Sequence, residues 1–572
     1  MVNRKKTDLV QLALVVVGIL LLNYIVSFVN LRLDLTQEKR YSLNDVTKNM
    51  VQKLDDVILF KIYLKGDLNS GFQKLQRETV QLLNELKAEN PLVEFELIDP
   101  NESDDEQLRS DILEQLRFKG LEPIQVEEMT ADGASFSLIY PGAIVSYKNR
   151  ELPIQLLLSQ FASSPEAQLN ISIQNLEYIL ANAMRKLAAE EKPTIAFLKG
   201  HGELNDKYVA DLAKDLSQYY RVDKFNLKEF IADSITGEVA LQNQILRLST
   251  IDALIIAKPT KEFNDVDKLL LDQYIMRGGK TLWFLDAVEA NMDSLSKASS
   301  FLSYPTMGNL GLTDFLFKYG VRINANLVTD MVSGGVSDSR KVYRWIYFPL
   351  VMPQIKHPIT KDLNAIKLEF ASTLDTIIAP GIRKTFLLRS SPYSNAVSTP
   401  HAVRLQTLYK NHTEEEFNRS GLPLGVLLEG KFNSAFENRV VPSEQNGQRF
   451  NLIKKGRETQ MIVVGDGDII KNQLNIVNPN IPRGVPLPLG YDQYTGAQYG
   501  NKDFIMNAVD YMLDTSGLIE IRSRELKLRL LDQAKVKEDK LFWQLVNVGL
   551  PILLIILFGI GYNKYRQRRY AQ

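Results

Sequence analysis

Two long apolar runs without a charged residue lie near the ends of the chain, at residues 9–29 and 542–562. About 20 apolar residues in a helix cross a hydrocarbon core of roughly 30 Å. A cleaved signal peptide has a shorter apolar core and a small-residue cleavage site, which the first run lacks. The pattern therefore predicts two transmembrane helices, the first of them a retained signal anchor.

Basic residues flank both apolar runs on their outer sides. Because positive charge next to a span stays in the cytoplasm, we expect a bacterial inner-membrane protein with both termini, 1–8 and 563–572, in the cytoplasm. The residues between the spans then form a large periplasmic ectodomain. The basic residues are Arg4, Lys5 and Lys6 before the first run, and Lys564, Arg566, Arg568 and Arg569 after the second.

The pattern over residues 30–190 predicts a first α/β domain. Val57–Leu64 is a buried strand, apolar positions in 72–86 recur at helical spacing, and residues 93–97 alternate between apolar and acidic. Strand, helix and strand form a parallel βαβ unit, and residues 136–147 resemble a β-hairpin. This is the outline of a thioredoxin-like domain, but without cysteine it cannot exchange disulfides. We expect a structural or docking module.

Alternating strands and helices predict a second, doubly wound α/β domain that begins at residue 191. A β-rich insertion is expected at 341–455, after which residues 456–517 complete the sheet. The first part, 191–340, has predicted strands Thr194–Leu198, Ile251–Ala257 and Thr281–Leu285 and helices Tyr208–Tyr220 and Asp265–Arg277; the completing elements are the strand Met461–Val464 and the helix Asp503–Leu513.

Two further segments differ in composition from the domains around them. Residues 472–501 are rich in Pro, Gly and Asn, which predicts a long surface loop with a function of its own. Residues 518–541 are densely charged and favour a helix, so we expect a solvated stalk that leads into the second span. A coiled-coil contact is the alternative for this stalk.

The charge balance and the absence of cysteine exclude some functions. Lys and Arg total 68, as do Asp and Glu, so the chain has no overall basic field and no nucleic-acid partner is expected. An exported bacterial domain can fold without disulfides, whereas small secreted eukaryotic domains commonly depend on them.

Neither glycine motif in the chain matches a nucleotide site. Gly278-Gly279-Lys280-Thr281 lacks the required glycine five positions before Gly279, and it follows a predicted helix instead of a strand. Val463–Asp468 would need a glycine at the position of Ile470 to form a dinucleotide loop. We interpret the first motif as a helix cap and the second as a strand-to-helix turn, and we expect no cofactor.

Five polar residues follow predicted strands, at the end of the sheet where ligands bind in α/β folds. These ligand-binding candidates are His201, Glu203, Lys258, Asp286 and Asp466. His201 could act as a general base oriented by Asp286 or Glu203. Asp and Gly at strand ends are also ordinary turn residues, so a purely structural rim is the alternative. No histidine spacing typical of a zinc site occurs, and no metal is expected.

Four segments resemble the family of gliding-motility-associated ABC transporter accessory proteins called GldG. The resemblance implies an auxiliary or substrate-binding protein whose permease and ATPase are separate chains, with an α/β domain similar to class I glutamine amidotransferases. Those enzymes need a cysteine nucleophile, so the resemblance implies no enzyme activity here. The segments are L-R-L-D-L-T…K-R-Y-S-L at 31–43, G-H-G-E at 200–203, G-N-K-D-F-I-M-N-A-V at 500–509 and L-I-E-I-R-S-R-E-L at 518–526.

We therefore expect a non-catalytic subunit of an inner-membrane ABC transporter complex required for gliding motility. Two spans cannot form a conduit, so partner helices are needed, and Gly549, Gly559 and Gly561 offer points of close packing in the second span. Coupling to envelope machinery is favoured over substrate capture because the chain is tethered twice. The alternatives are an envelope hydrolase that uses His201 and a scaffold that binds a cell-wall polymer.

Overall fold

The computed structural model describes residues 10, 12–21, 43–103, 105–130, 133–158, 164–230, 241–337, 341–353, 357–439, 451–523 and 540–570. The chain divides into two compact units. The first combines residues 1–40 with 525–572, and the second contains residues 41–524.

The terminal unit contains helix α1, Leu12–Leu21, and a C-terminal helix, Lys540–Tyr570. The segment Phe542–Arg569 of the C-terminal helix is long and apolar enough to cross a membrane, and its apolar 18-residue stretch has a mean hydropathy of 2.3. In the described part of the predicted first span, α1 is a shorter apolar helix, and the rest of 9–29 lies outside the described residues. The first span therefore stays a prediction.

The three glycines predicted to pack against partner helices all lie in the C-terminal helix. A Cβ atom built at Gly549, Gly559 or Gly561 meets no described heavy atom within 4 Å. These positions are therefore open to contact by another helix, but no packing partner for them is present in the described residues.

The amino-terminal part of the second unit is a four-stranded sheet with the order β2-β1-β5-β6. The predicted βαβ unit is confirmed, because β1 and β2 pair in parallel on either side of α3. The elements are α2 Asp45–Val51, β1 Ile58–Ile62, α3 Ser70–Glu89, β2 Val93–Leu97, α4 Glu106–Phe118, β3 Ile124–Thr130, β4 Gly133–Ile139, β5 Gly142–Tyr147, β6 Arg150–Gln155 and α5 Pro165–Ala188.

The predicted β-hairpin over residues 136–147 is wrong. β4 pairs with β3 in a separate two-stranded sheet, whereas β5 pairs with β1 and with β6. The chain changes sheet at Pro141, because a proline has no N–H to donate to a ladder. The N–H of the next residue, Gly142, donates to the Tyr140 carbonyl at 2.8 Å and closes a tight turn.

A seven-stranded sheet forms the centre of the unit. Its first strands come from an alternation of strands and helices, in which β7, β9 and β10 are buried apolar runs and β8 is a largely exposed edge strand. In this part of the chain the elements are β7 Thr194–Lys199, α6 Ala210–Tyr219, β8 Arg221–Asn226, α7 Leu241–Leu248, β9 Ala253–Ala257, α8 Asp265–Met276 and β10 Lys280–Phe284.

After β10 the chain forms a series of further helices and strands, of which β19, β22 and β23 belong to the central sheet. They are β11 Val288–Glu289, α9 Met292–Ala298, β12 Ser300–Pro305, α10 Met307–Leu310, α11 Thr313–Tyr319, β13 Val321–Ile323, β14 Asn326–Asp330, β15 Ser333–Ser337, β16 Val342–Val351, β17 Ile366–Lys367, β18 Leu374–Thr376, β19 Ile382–Arg389, β20 Ser394–Ser398, β21 His401–Arg404, β22 Pro423–Asn433, β23 Lys455–Val464 and α12 Asn501–Leu513.

The central sheet has the strand order β19-β22-β23-β10-β9-β7-β8. The pairs from β23 to β8 are parallel, whereas β19, β22 and β23 pair antiparallel. Ile256 and Trp283 face the core that includes α7 and α8, and Ile255 and Phe284 face the core that includes α6 and α12. Helices thus cover both faces, and the predicted mixed α/β class is confirmed. The segment 341–455, predicted as an insertion, supplies β19 and β22 to this sheet.

The two segments of distinct composition differ in structure: residues 472–500 form a loop without a helix or strand of its own, whereas residues 518–523 are helical. The first is held by its own hydrogen bonds and by a buried contact in which Lys367 Nζ lies 3.0 Å from Asp492 Oδ2. The predicted stalk begins as the 3₁₀ helix Leu518–Ser523, and residues 524–539 lie outside the described part of the chain.

A buried carboxylate joins α5 to α12, a helix that covers one face of the central sheet. Asp510, on α12, is 4% exposed and lies 3.0 Å from Lys186 Nζ. It also accepts a hydrogen bond from the Tyr220 hydroxyl, and Arg185 lies 3.9 Å away. Burial alone would raise the pKa of Asp510, but Lys186, Arg185 and Tyr220 lower it by more, so the net shift is downward.

We predict that Asp510→Ala destabilises the protein by about 3–5 kcal/mol, because it leaves a buried ammonium without its partner. Since the pKa of Asp510 is lowered on folding, its contribution is present above the unfolded pKa of about 3.9 and is lost as the pH falls through the folded value. Thermal unfolding of both proteins measures this difference. The exposed Asp223→Ala is the control and should change stability by less than about 1 kcal/mol. Equal melting of all three proteins would contradict the prediction.

Candidate functional site

Three neighbouring parallel strands bring polar residues to one edge of the central sheet. β9, β10 and β23 end in register, as shown by the Lys258 N–H, which donates to the Phe284 carbonyl at 2.9 Å, and the Leu285 N–H, which donates to Val464 at 3.1 Å. The carboxyl ends of parallel strands lie at the same edge of a sheet, where ligands bind in open α/β folds. The residues that follow the strands therefore meet there.

Lys258 is the centre of the first group of charges at this edge. Its Nζ atom lies 2.8 Å from Asp286 Oδ2 and 2.5 Å from Asp468 Oδ2. Burial would lower the pKa of Lys258, but the two carboxylates raise it by more, and the ammonium stays charged. Burial also raises the pKa of Asp286, whereas Lys258 and Lys471 outweigh burial at Asp468 and lower its pKa.

The backbone at Lys258 and at Gly467 has the conformation that the contact of Lys258 with Asp286 and Asp468 requires. Lys258 has a φ of +51°, a left-handed conformation that is costly for a residue with a side chain. The N–H of Gly467 donates to Asp286 Oδ1 at 2.5 Å. A Cβ atom at Gly467 would lie 2.7 Å from the Cγ of Lys258 and 2.9 Å from Asp286 Oδ1. Only glycine allows the chain to pass this close to the ion pair.

Asp466 belongs to the same edge, and its carboxylate accepts hydrogen bonds from two backbone N–H groups. Its Oδ2 accepts the N–H of Glu369 at 2.7 Å, and its Oδ1 accepts the N–H of Asp468 at 2.7 Å. Burial and the nearby carboxylates of Asp468 and Asp286 raise the pKa of Asp466 well above its usual value. Asp466 therefore fixes the turn after β23 and ties it to the segment before Phe370.

The three carboxylates offer oxygens that a metal ion could use. One oxygen from each of Asp286, Asp466 and Asp468 lies within 4.8 Å of the others, and hard cations prefer such ligands. The ammonium of Lys258 already serves as the cation for Asp286 and Asp468. A metal ion would have to displace it, so the residues present are better suited to an internal ion pair than to a metal centre.

His201 and Glu203 form a second, separate group after β7. The imidazole of His201 is fully buried and stacks on Phe263, with ring centroids 3.7 Å apart and planes 4° from parallel. Its Nε2 lies 3.0 Å from Asp267 Oδ2, and its Nδ1 lies 3.5 Å from Glu203 Oε1. Glu203 also accepts the His201 backbone N–H at 2.9 Å.

The surroundings of His201 favour its charged form. Burial alone would lower the pKa of His201, but Asp267 and Glu203 raise it by more, and the net shift is upward. A general base must be unprotonated and within reach of the proton it abstracts. Both nitrogens of His201 face carboxylates of its own chain, and its ring is covered. This geometry is that of an imidazole held by its own chain, as expected for a structural role.

The five predicted residues thus form two groups instead of one rim. Lys258 and Asp286 are in contact, Asp466 lies beside them, and His201 contacts Glu203. The partner expected for His201 was Asp286 or Glu203; the structure supplies Glu203 at a longer distance and Asp267 at hydrogen-bond distance. A ligand at these residues stays a prediction.

Two residues of the groups were missed by the sequence reasoning. Asp468 stands two positions after Asp466 in a Gly-Asp-Gly-Asp segment, a composition typical of an ordinary turn. Asp267 forms a capping box with Asn264 at the start of α8, and that role accounts for an acidic residue at this position. The capping-box pattern in the sequence could have identified Asp267, because a helix that starts after β9 places its first carboxylate at the edge of the sheet where β7 ends.

We predict that the stability contributed by His201 depends on pH. Because the pKa of His201 is raised on folding, its contribution is complete below the unfolded value of about 6.5 and is lost as the pH rises through the folded value. The wild type should therefore exceed His201→Gln most at acidic pH, as measured by thermal unfolding over a pH series. Asp267→Asn should reduce this pH-dependent difference. Parallel curves for wild type and His201→Gln would contradict the assignment.

The chain is similar to other proteins at low sequence identity. An uncharacterized protein of Borreliella burgdorferi is 20% identical over 580 residues, an alignment that spans the whole of both chains. Among solved structures, the mmIFT52 N-terminal domain is 14% identical and has a TM-score of 0.31, with 56% of this chain and 96% of that domain covered.

Two family models match successive parts of the chain. A domain of unknown function matches residues 37–146, which contain the four-stranded sheet up to β5. The model described as an ABC-type uncharacterized transport system matches residues 192–508, from β7 into α12. This second match includes both groups of charges and more than half of the 572 residues. The chain therefore belongs to the auxiliary protein family of this ABC-type transport system.

Proposed function

We propose that this chain is a non-enzymatic auxiliary subunit of an inner-membrane ABC transporter complex, with the permease and the ATPase on separate chains. The family match over residues 192–508 is the observation that supports this function most strongly. The apolar segment Phe542–Arg569 supports an attachment to the membrane. The segments that resemble GldG favour a role in gliding motility.

The turn before β10 supports a separate source of ATP hydrolysis. Gly278 has a φ of +97°, and its N–H donates to the Ile275 carbonyl at 2.9 Å at the end of α8. A Cβ atom at Gly279 would lie 2.4 Å from the ring of Tyr274. Both glycines are therefore used to end a helix and enter a strand. A phosphate loop has the opposite order, with the strand before the loop and a helix after it.

The two groups of charges support coupling or assembly over catalysis and substrate capture. The Lys258 ammonium is neutralised by Asp286 and Asp468, and the nitrogens of His201 face Asp267 and Glu203. A capture site needs polar groups that a ligand can complete, and here each cation is already matched by carboxylates of the same chain. His201 Nδ1 and Glu203 Oε1 have no hydrogen-bond partner among the described residues, but they face each other at 3.5 Å. The sheet therefore serves best as a rigid body that passes motion between a transporter in the membrane and a component of the cell envelope.

We predict that the tagged full-length chain, extracted from native membranes in mild detergent, copurifies with a multi-span permease and a P-loop ATPase identified by mass spectrometry. We expect the C-terminal helix to pack closely against the permease. Gly559→Leu should therefore reduce the recovery of the permease and the ATPase several-fold, because a large side chain separates the helices. Ile556→Leu keeps the side-chain volume in the same helix and is the control with unchanged recovery.

Recovery of the chain alone would contradict the proposed function, provided that another ABC complex stays intact in the same detergent extract. An envelope hydrolase predicts instead that His201→Ala abolishes function while folding and partner recovery stay intact. A cell-wall scaffold predicts sedimentation of the chain with purified peptidoglycan.

A further inference from the structure

A cavity of about 230 Å³ lies beside the end of β19, and none of the residues of the two charged groups lines it. The ends of β16 and β19 and four connecting segments surround it. Its walls are mainly apolar and include Val332, Leu350, Leu387, Pro353 and Pro392. A concave apolar surface with few polar groups is the usual form of a small-molecule site.

Two of the serines that line the cavity are used to hold its shape. Ser391 donates its hydroxyl to the buried Asp330 at 2.5 Å and its backbone N–H to the same carboxylate at 2.8 Å. The Ser390 hydroxyl accepts the N–H of Leu422 at 2.8 Å and lies 2.7 Å from the Ser394 hydroxyl. These bonds fix the loop that follows β19, and they leave these two hydroxyls engaged within the protein.

Arg389 is the charged residue of the cavity lining, and its side chain is oriented. One guanidinium nitrogen donates to the Gly421 carbonyl at 2.9 Å, and the guanidinium carbon lies 4.4 Å from the centre of the Phe386 ring. Across the described ranges, no carboxylate lies within 4.0 Å of this guanidinium. An arginine has five N–H donors, so Arg389 can donate to an anion while it keeps its bond to Gly421.

We propose that this cavity binds a small apolar monocarboxylate, with the apolar group between the proline and leucine side chains and the carboxylate on Arg389. An apolar cavity of about 150 Å³ accepts benzene. A volume of about 230 Å³ therefore has room for a chain of roughly six to nine carbon atoms. Arginine binds a carboxylate through two parallel hydrogen bonds, which the oriented guanidinium favours. This site goes beyond the transporter role and does not depend on it.

The test uses the full-length chain in lipid nanodiscs and isothermal titration calorimetry, with empty nanodiscs as the blank for partition into lipid. Hexanoate is the probe, and hexanamide and hexylamine have the same chain with a neutral and a positive end. Hexanoate should bind, hexanamide should bind about tenfold more weakly or worse, since a bond to a charged group is lost, and hexylamine should not bind.

Arg389→Gln should reduce the affinity for hexanoate to that for hexanamide, whereas Arg389→Lys should retain part of it. Arg344→Gln changes an exposed arginine of β16 outside the lining and is the matched control with unchanged affinity. Val332→Phe should abolish binding by filling the cavity. No binding of hexanoate above the blank, equal affinities for acid and amide, or an unchanged affinity in folded Arg389→Gln would each overturn the proposal.

Discussion

The contact of Lys258 with Asp286 and Asp468 is the constraint on which the central sheet depends. It joins the turns that follow three adjacent strands, two of them separated from β23 by more than 170 residues of sequence. A buried ion pair contributes little net stability over apolar residues of the same volume, but removal of one partner is costly. Its effect is therefore to specify one arrangement. The strands that meet there cannot exchange places without burying an unpaired charge.

The same device occurs elsewhere in the second unit. Asp510 pairs with Lys186 between α12 and α5, and Lys367 pairs with Asp492 between β17 and the long loop. Asp272 is fully buried and accepts hydrogen bonds from Tyr319 and Ser434 at 2.7 Å each. Each of these buried groups is bonded to a distant part of the chain. A sheet fixed in this way is suited to transmit force or to present a surface, which agrees with a protein that acts by association.

The central strands could be predicted because apolar runs such as Ala253–Ala257 are bounded by turn residues and are buried on both faces. The pairing within the β-rich part could not be predicted, because it depends on partners from other parts of the chain, as for β22, which lies between β19 and β23. The candidate site was predicted only in its position. The sequence indicates which residues follow a strand and therefore lie at the carboxyl edge of the sheet. The direction of each side chain depends on the local backbone, such as the left-handed conformation of Lys258, and on helix caps such as Asp267.

The most direct test of this account compares the thermal unfolding of Lys258→Met with that of the triple variant Lys258→Met, Asp286→Asn, Asp468→Asn. The account predicts that Lys258→Met is less stable than the wild type by about 3–5 kcal/mol, because two buried carboxylates lose their cation. The triple variant should recover most of this loss, since no unpaired charge remains. A Lys258→Met protein as stable as the wild type would contradict the account. The carboxylates of Asp286 and Asp468 would then not depend on this ammonium, as expected of a site that binds another cation.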